Sequence, residues 1–98
     1  MTRGIELVVN DMPIEIDYFV QSFIDHTVGA MIESLEETGP IKHLEVSIRG
    51  QELEIMLNGG NVPVNSFVND LIIATIKGMV SSLKGVGEIS TLKIAVSR

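Results

Sequence analysis

Two histidines and no cysteine bound the chemistry open to this 98-residue chain. Without a thiol there is no thiolate nucleophile, no thiolate metal site and no disulfide. His26 lies in the middle of a helical stretch beside aromatic residues, and His43 lies one residue from Glu45 on alternating strand positions. Neither has a nucleophile at a spacing that makes a nucleophile–base pair, so no catalytic residue and no cofactor is assigned. Carboxylates are the next candidates. Glu6 and Glu54 occupy the same position in two similar segments, and Val8 and Met56 do so two residues on. Two carboxylates close together can hold a hard cation or share a proton. Glu6, Glu54, Val8 and Met56 are therefore the candidate site of a small-ligand or metal-ion binding domain. The same glutamates are also those of a solvated acidic face offset by Lys42, Arg49 and Lys93. No calcium-loop or di-carboxylate helix spacing is present, so no metal ligand is assigned. Asn58-Gly59-Gly60 has no Lys-Ser/Thr at the following helix start, so it reads as a hairpin turn and not a phosphate loop.

The elements that position these residues come in two sets. Asn65 to Lys84 has helical spacing: Val68, Ile72, Thr75, Ile76, Met79 and Leu83 share one face, and Asn65 suits the N-cap. Moved by 48 positions, the sequence falls on itself, with identities at Glu6/Glu54, Asn10/Asn58, Phe19/Phe67, Thr27/Thr75, Ser34/Ser82 and Gly39/Gly87. Matching polar residues and glycines at a fixed offset is more than a shared apolar rhythm, and it points to internal repeats, residues 1–50 and 51–98 of one domain. Asp17 caps the first helix as Asn65 caps the second, Thr38-Gly39-Pro40 ends the first, and Gly85 ends the second. Alternating strands are expected at Ile5–Val9, Leu44–Ile48, Leu53–Leu57 and Leu92–Val96. The order β-α-β-β-α-β predicts an α+β, ferredoxin-like sandwich of tandem βαβ repeats: strand order 4-1-3-2, with both helices on one face. Glu6 and Glu54 would then sit on the two central strands of the open face. The alternative is two ββαβ repeats, in which residues 12–16 and 61–64 form a short strand before each helix.

The net charge of −6, with no run of Lys or Arg, excludes a phosphate-backbone partner. No apolar run reaches the ~18 residues of a membrane span, and no signal peptide is visible at the start. The expectation is a cytoplasmic protein with neither nucleic acid nor membrane as partner. The apolar surface exceeds what one helix face needs. The seam Phe67, Leu71, Ala74 and Gly78, mirrored by Phe19, Phe23, His26 and Ala30, has small residues that suit helix-to-helix contact inside the monomer. Ile73 and Val80 on the other flank, with Ile32 matching Val80, are then left for another chain. The last strand is a further pairing edge. Gly29 inside the first helix costs ~1 kcal/mol against Ala and calls for a close contact or marks drift.

The run Asn58-Gly59, Val62-Pro63-Val64-Asn65, Phe67-Val68, Thr75, Gly78-Met79-Val80 and Ser82-Leu83-Lys84-Gly85 resembles the signature of a small uncharacterised family of conserved archaeal proteins. The match covers mainly residues 53–96. The first repeat departs from it at Met12-Pro13, Gly29 and Glu36-Glu37. The resemblance implies an archaeal cytoplasmic origin and carries over no site. The leading expectation is a non-enzymatic interaction or regulatory module that forms a homo-oligomer or meets a protein partner.

Overall fold

Two tight turns set the architecture. Asn10 (φ 52°) and Asp11 (φ 66°) both take positive φ, as do Asn58 (φ 49°) and Gly59 (φ 86°). A two-residue loop of that kind matches the twist of a β-hairpin, and Asn, Asp and Gly tolerate it best. In the computed structural model, which describes residues 4–35, 40–83 and 86–98, the first turn folds β2 (Met12–Pro13) back on β1 (Gly4–Val9). The second folds β5 (Gly60–Asn61) back on β4 (Glu52–Leu57). Each hairpin leads into a helix, α1 (Tyr18–Leu35) or α2 (Ser66–Ser81), and then into a long strand, β3 (His43–Arg49) or β6 (Thr91–Ser97). The element order is therefore that of the ββαβ alternative.

The sheet is antiparallel throughout, in the order β2-β1-β6-β3-β4-β5. Counted over the four long strands this is 1-4-2-3, a correction to the ferredoxin-like 4-1-3-2. The reason is steric. Each hairpin stub occupies one edge of its parent strand, so β1 and β4 have one edge left and cannot lie between two long strands. The central places fall to β6 and β3, which pair along their whole lengths, from His43 opposite Ser97 to Arg49 opposite Thr91. The last strand is thus interior and offers no pairing edge. The outermost strands are the two-residue β2 and β5, which cover only the ends of β1 and β4, at Val8–Val9 and Met56–Leu57.

The pairing register repeats between the halves. Val8 opposite Pro13 in one becomes Met56 opposite Asn61 in the other, and Leu7 opposite Ile94 becomes Ile55 opposite Val46. Side chains repeat as well. Asp17 Oδ1 accepts the Val20 N–H at 2.9 Å, and Asn65 Oδ1 accepts the Val68 N–H at 2.8 Å, so both expected caps form. Asn10 Nδ2 donates to the Glu88 carbonyl, and its Oδ1 accepts from the Ser90 and Thr91 N–H groups at 2.7 and 3.1 Å. Asn58 does the same to Pro40, Lys42 and His43, with Oδ1 contacts of 2.9 Å. Each Asn thus ties a hairpin turn to the start of the other half's long strand, Asn10 to β6 and Asn58 to β3. Asn58→Gly keeps the positive φ and removes only these bonds. It is expected to cost about 1–3 kcal/mol in urea unfolding.

Both helices cover one sheet face. Leu7, Val9, Leu44, Val46, Ile48 and Ile55 are buried there, with Leu92, Ile94 and Val96. Ile24, Val28 and Ile32 of α1 and Ile72, Ile73, Ile76 and Val80 of α2 are buried against them. The principal extents, 35 × 35 × 18 Å, are those of a two-layer slab. The expected helix ends at Thr38-Gly39 and Lys84-Gly85 lie outside the described residues.

Candidate functional site

Strand order decides the fate of the acidic pair. Leu7 and Val9 face the helices, so Glu6 and Val8 face outward, and Glu54 and Met56 do likewise across the sheet. One row of that open face runs Glu6, Ala95, Glu45, Met56, and the next runs Val8, Lys93, Ser47, Glu54. Glu6 and Glu54 lie on β1 and β4 with two strands between them. Three strand spacings put them about 14 Å apart before the register offset is added. They are not a carboxylate pair, and the expected placement on central strands is corrected with the sheet order. Among the described residues, no group of three His, Cys, Asp or Glu side chains could hold a metal ion. Val8, Glu54 and Met56 do border a shared depression of about 1040 Å³, with Ser47, Asn61 and Lys93.

His43 Nε2 lies 3.4 Å from Glu45 Oε1, and Lys93 Nζ lies 3.8 Å from the same oxygen. The three sit exposed or half-exposed on the open face, where solvent screening leaves such pairs worth little. His26 is exposed on the outside of α1.

The helix layer reverses the expectation about flanks. Ile32, Ile73 and Val80 are 1%, 5% and 0% exposed, because that flank is the one packed on the sheet. They are core residues, which corrects their assignment to an interface. The seam assigned to the interior is on the outside: Phe19 is 73% exposed, Phe23 48%, Phe67 71% and Leu71 52%. Phe19 and Phe23 stack with ring centroids 6.2 Å apart. At 100° per residue, the outward arc of α1 carries Phe19, Phe23, His26, Thr27, Ala30 and Ser34. That of α2 carries Phe67, Leu71, Ala74, Thr75, Gly78 and Ser82. Charge stands only at the borders of these arcs, where Glu33 on α1 and Asp70 on α2 are exposed. A surface helix ordinarily turns its charged side to solvent, and these two carry an apolar strip along the middle of theirs.

Between the helices runs an apolar cleft of about 430 Å³. Phe19, Val20 and Phe23 from the first half of α1 and Met79 and Leu83 from the end of α2 line it. The helices therefore run antiparallel, with the start of one beside the end of the other. Three hydroxyls line it, those of Thr27, Thr75 and Ser82. Thr75 Oγ1 donates to the Leu71 carbonyl at 2.8 Å, and Ser82 Oγ to that of Gly78 at 3.4 Å.

One polar group is buried in the helix layer. Asp25, 4% exposed, stands where the second half has Ile73. Arg98 reaches it from the end of β6, with Nη2 2.8 Å and Nε 2.9 Å from Oδ1, and Nη2 also donates to the Asp25 carbonyl at 3.0 Å. Gly29 makes room: a Cβ there would lie 2.4 Å from Arg98 Nη2. The odd mid-helix glycine is thus explained by a close contact. At the equivalent place in the other half, Lys77 Nζ donates from α2 to the Gly50 carbonyl at 3.4 Å, so a cation links helix and strand end in both halves.

Compared with protein-family models, characterised proteins and solved structures, the chain matches none. No helix among the described residues is long and apolar enough to cross a membrane.

Proposed function

We propose that this protein is a non-enzymatic interaction module, built of two copies of one ββαβ unit, which self-associates through the outer face of its helix layer. The carrying observation is the uncharged strip along the middle of the outward arc of both helices, with Phe19, Phe23, Phe67 and Leu71 uncovered. At roughly 200 Å² for a whole aromatic side chain, these four leave on the order of 450 Å² of apolar surface in water. That is the size of the largest patch on a typical monomer, and such patches tend to be functional. The repeat reading is supported by the shared register and by the matched Asn10 and Asn58 clamps.

The second reading is a small-ligand domain using the open sheet face, favoured by the depression that Val8, Glu54 and Met56 border. Amide spectra recorded over a dilution series separate the two. Concentration-dependent shifts on Phe19–Ala30 and Phe67–Gly78 are expected. Shifts confined to β1, β4 and β6 would contradict self-association through the helices and turn attention to the sheet.

A further inference from the structure

We infer that the apolar cleft between α1 and α2 is the socket for Phe67 and Leu71 of a second copy of this chain, two copies meeting helix layer to helix layer about a two-fold axis. The inference rests on the self-association proposed above and adds its geometry. Three observations select the occupant.

The first is polarity. The cleft is lined almost wholly by carbon, and the hydroxyls of Thr75 and Ser82 on its rim already donate to their own helix. An amphiphilic ligand would find only the Thr27 hydroxyl beside them for its polar end, whereas a phenyl ring or isobutyl group needs nothing. A 150 Å³ apolar cavity takes one benzene, so about 430 Å³ accepts a Phe and a Leu side chain together.

The second is charge. The chain carries −6 overall, yet the carboxylates nearest this face, Glu33 and Asp70, stand at the borders of the outward arcs and not along their middle. Two acidic copies meet at the lowest electrostatic cost where carboxylates are fewest, which is along the middle of this face. An anionic lipid surface would be repelled by the net charge and would find no basic residue on the arcs.

The third is placement and area. Phe67 and Leu71 sit at the opposite end of the layer from the cleft, at the positions that match Phe19 and Phe23 in the first half. A two-fold rotation that lays the Phe67 end of one copy over the cleft of its partner does so twice, once for each copy, which is a closed isologous contact. The exposed apolar surface of about 450 Å² covers over half of the ~800 Å² per partner found in standard interfaces. Ala30, Ala74 and Gly78 lie between the two ends and let the helices approach closely.

The test uses the full chain. Phe67 and Met79 lie about 18 Å apart along α2 in one copy, too far for a proton–proton Overhauser effect. In a mixed sample, one copy carries ¹³C-methyl methionine and the other is unlabelled. An isotope-filtered experiment is expected to show a cross-peak from the Phe67 ring to the Met79 methyl. Phe67→Ala with Leu71→Ala should remove it and raise the dimer dissociation constant on the order of a hundredfold. Helical circular dichroism should be unchanged, because both side chains are exposed. A dimer that persists in the double variant, or a wild-type dimer without the cross-peak, overturns the socket and leaves self-association standing. A wild-type chain that stays monomeric at millimolar concentration overturns both.

Discussion

Val80→Asp is expected to unfold this protein outright, and Ile73→Asp, one turn before Lys77, to destabilise it less. Val80 is fully buried and Ile73 nearly so, both on the α2 flank that rests on the sheet. A carboxylate at position 80 replaces a fully buried apolar side chain, and leaving a buried charge unpaired costs several kcal/mol. Domains of this size hold only about 5–15 kcal/mol in all. Thermal melts followed by circular dichroism check this: the variants should lack a cooperative transition or show one lowered by tens of degrees. A folded, stable Val80→Asp chain would mean that α2 lies on the sheet by another face. Phe67→Asp on the opposite arc should leave the melt close to wild type.

The second large effect concerns Asp25 and Arg98. The two Oδ1 contacts, with a third to the Asp25 carbonyl, tie the last strand to the middle of α1. Removing Asp25 leaves a guanidinium whose side chain is 18% exposed. It can turn partly to water, so the cost falls below that of a fully buried pair. Asp25→Ala is expected to destabilise by about 2–3 kcal/mol. In the cycle with Arg98→Ala, the double variant should be more stable than the two single losses added together, with a coupling of about 1–3 kcal/mol. Urea unfolding of the four proteins measures it. Gly29→Ala gives a sign test within the same argument. Helix propensity alone favours Ala by ~1 kcal/mol, but its Cβ would displace the Arg98 guanidinium, so the net effect is expected to be destabilising. In the Arg98→Ala background the same change should stabilise. Additive behaviour throughout would show that Arg98 does not depend on this seat.

The contrast between the two halves shows where sequence reasoning reaches and where it stops. Asp17 and Asn65 are legible as caps because capping is local, a side chain reaching a backbone N–H three residues on. Helix and strand positions are legible from period. Strand order is not legible from period. It hinges on whether Met12–Pro13 and Gly60–Asn61 pair back on their parent strands. The Asn10-Asp11 and Asn58-Gly59 turns contain that answer, because two positive φ values in succession make a hairpin. Once the stubs are strands, β1 and β4 have no free inner and outer edge together, and Glu6 and Glu54 separate across the sheet.

The helix faces failed for a different reason. Both arcs of α2 are apolar, and an apolar arc does not say whether it meets a sheet, a helix or a second chain. Small residues at Ala30, Ala74 and Gly78 suggest a helix–helix seam equally well within one copy or between two. A carboxylate at Asp25 on this flank reads as solvent-facing in the sequence, because its partner lies 73 positions away and cannot be found by local pattern. The uncharged strip along the middle of both outward arcs was in the sequence all along. It becomes informative only once the opposite arc is known to be buried.

Sedimentation equilibrium of the wild-type chain from micromolar to millimolar concentration tests the central claim most directly. Self-association through the helix layer predicts a mass rising from 10.7 kDa toward twice that value, and a return to the monomer mass in Phe19→Asp with Phe67→Asp. A single 10.7-kDa species across the whole range would contradict it.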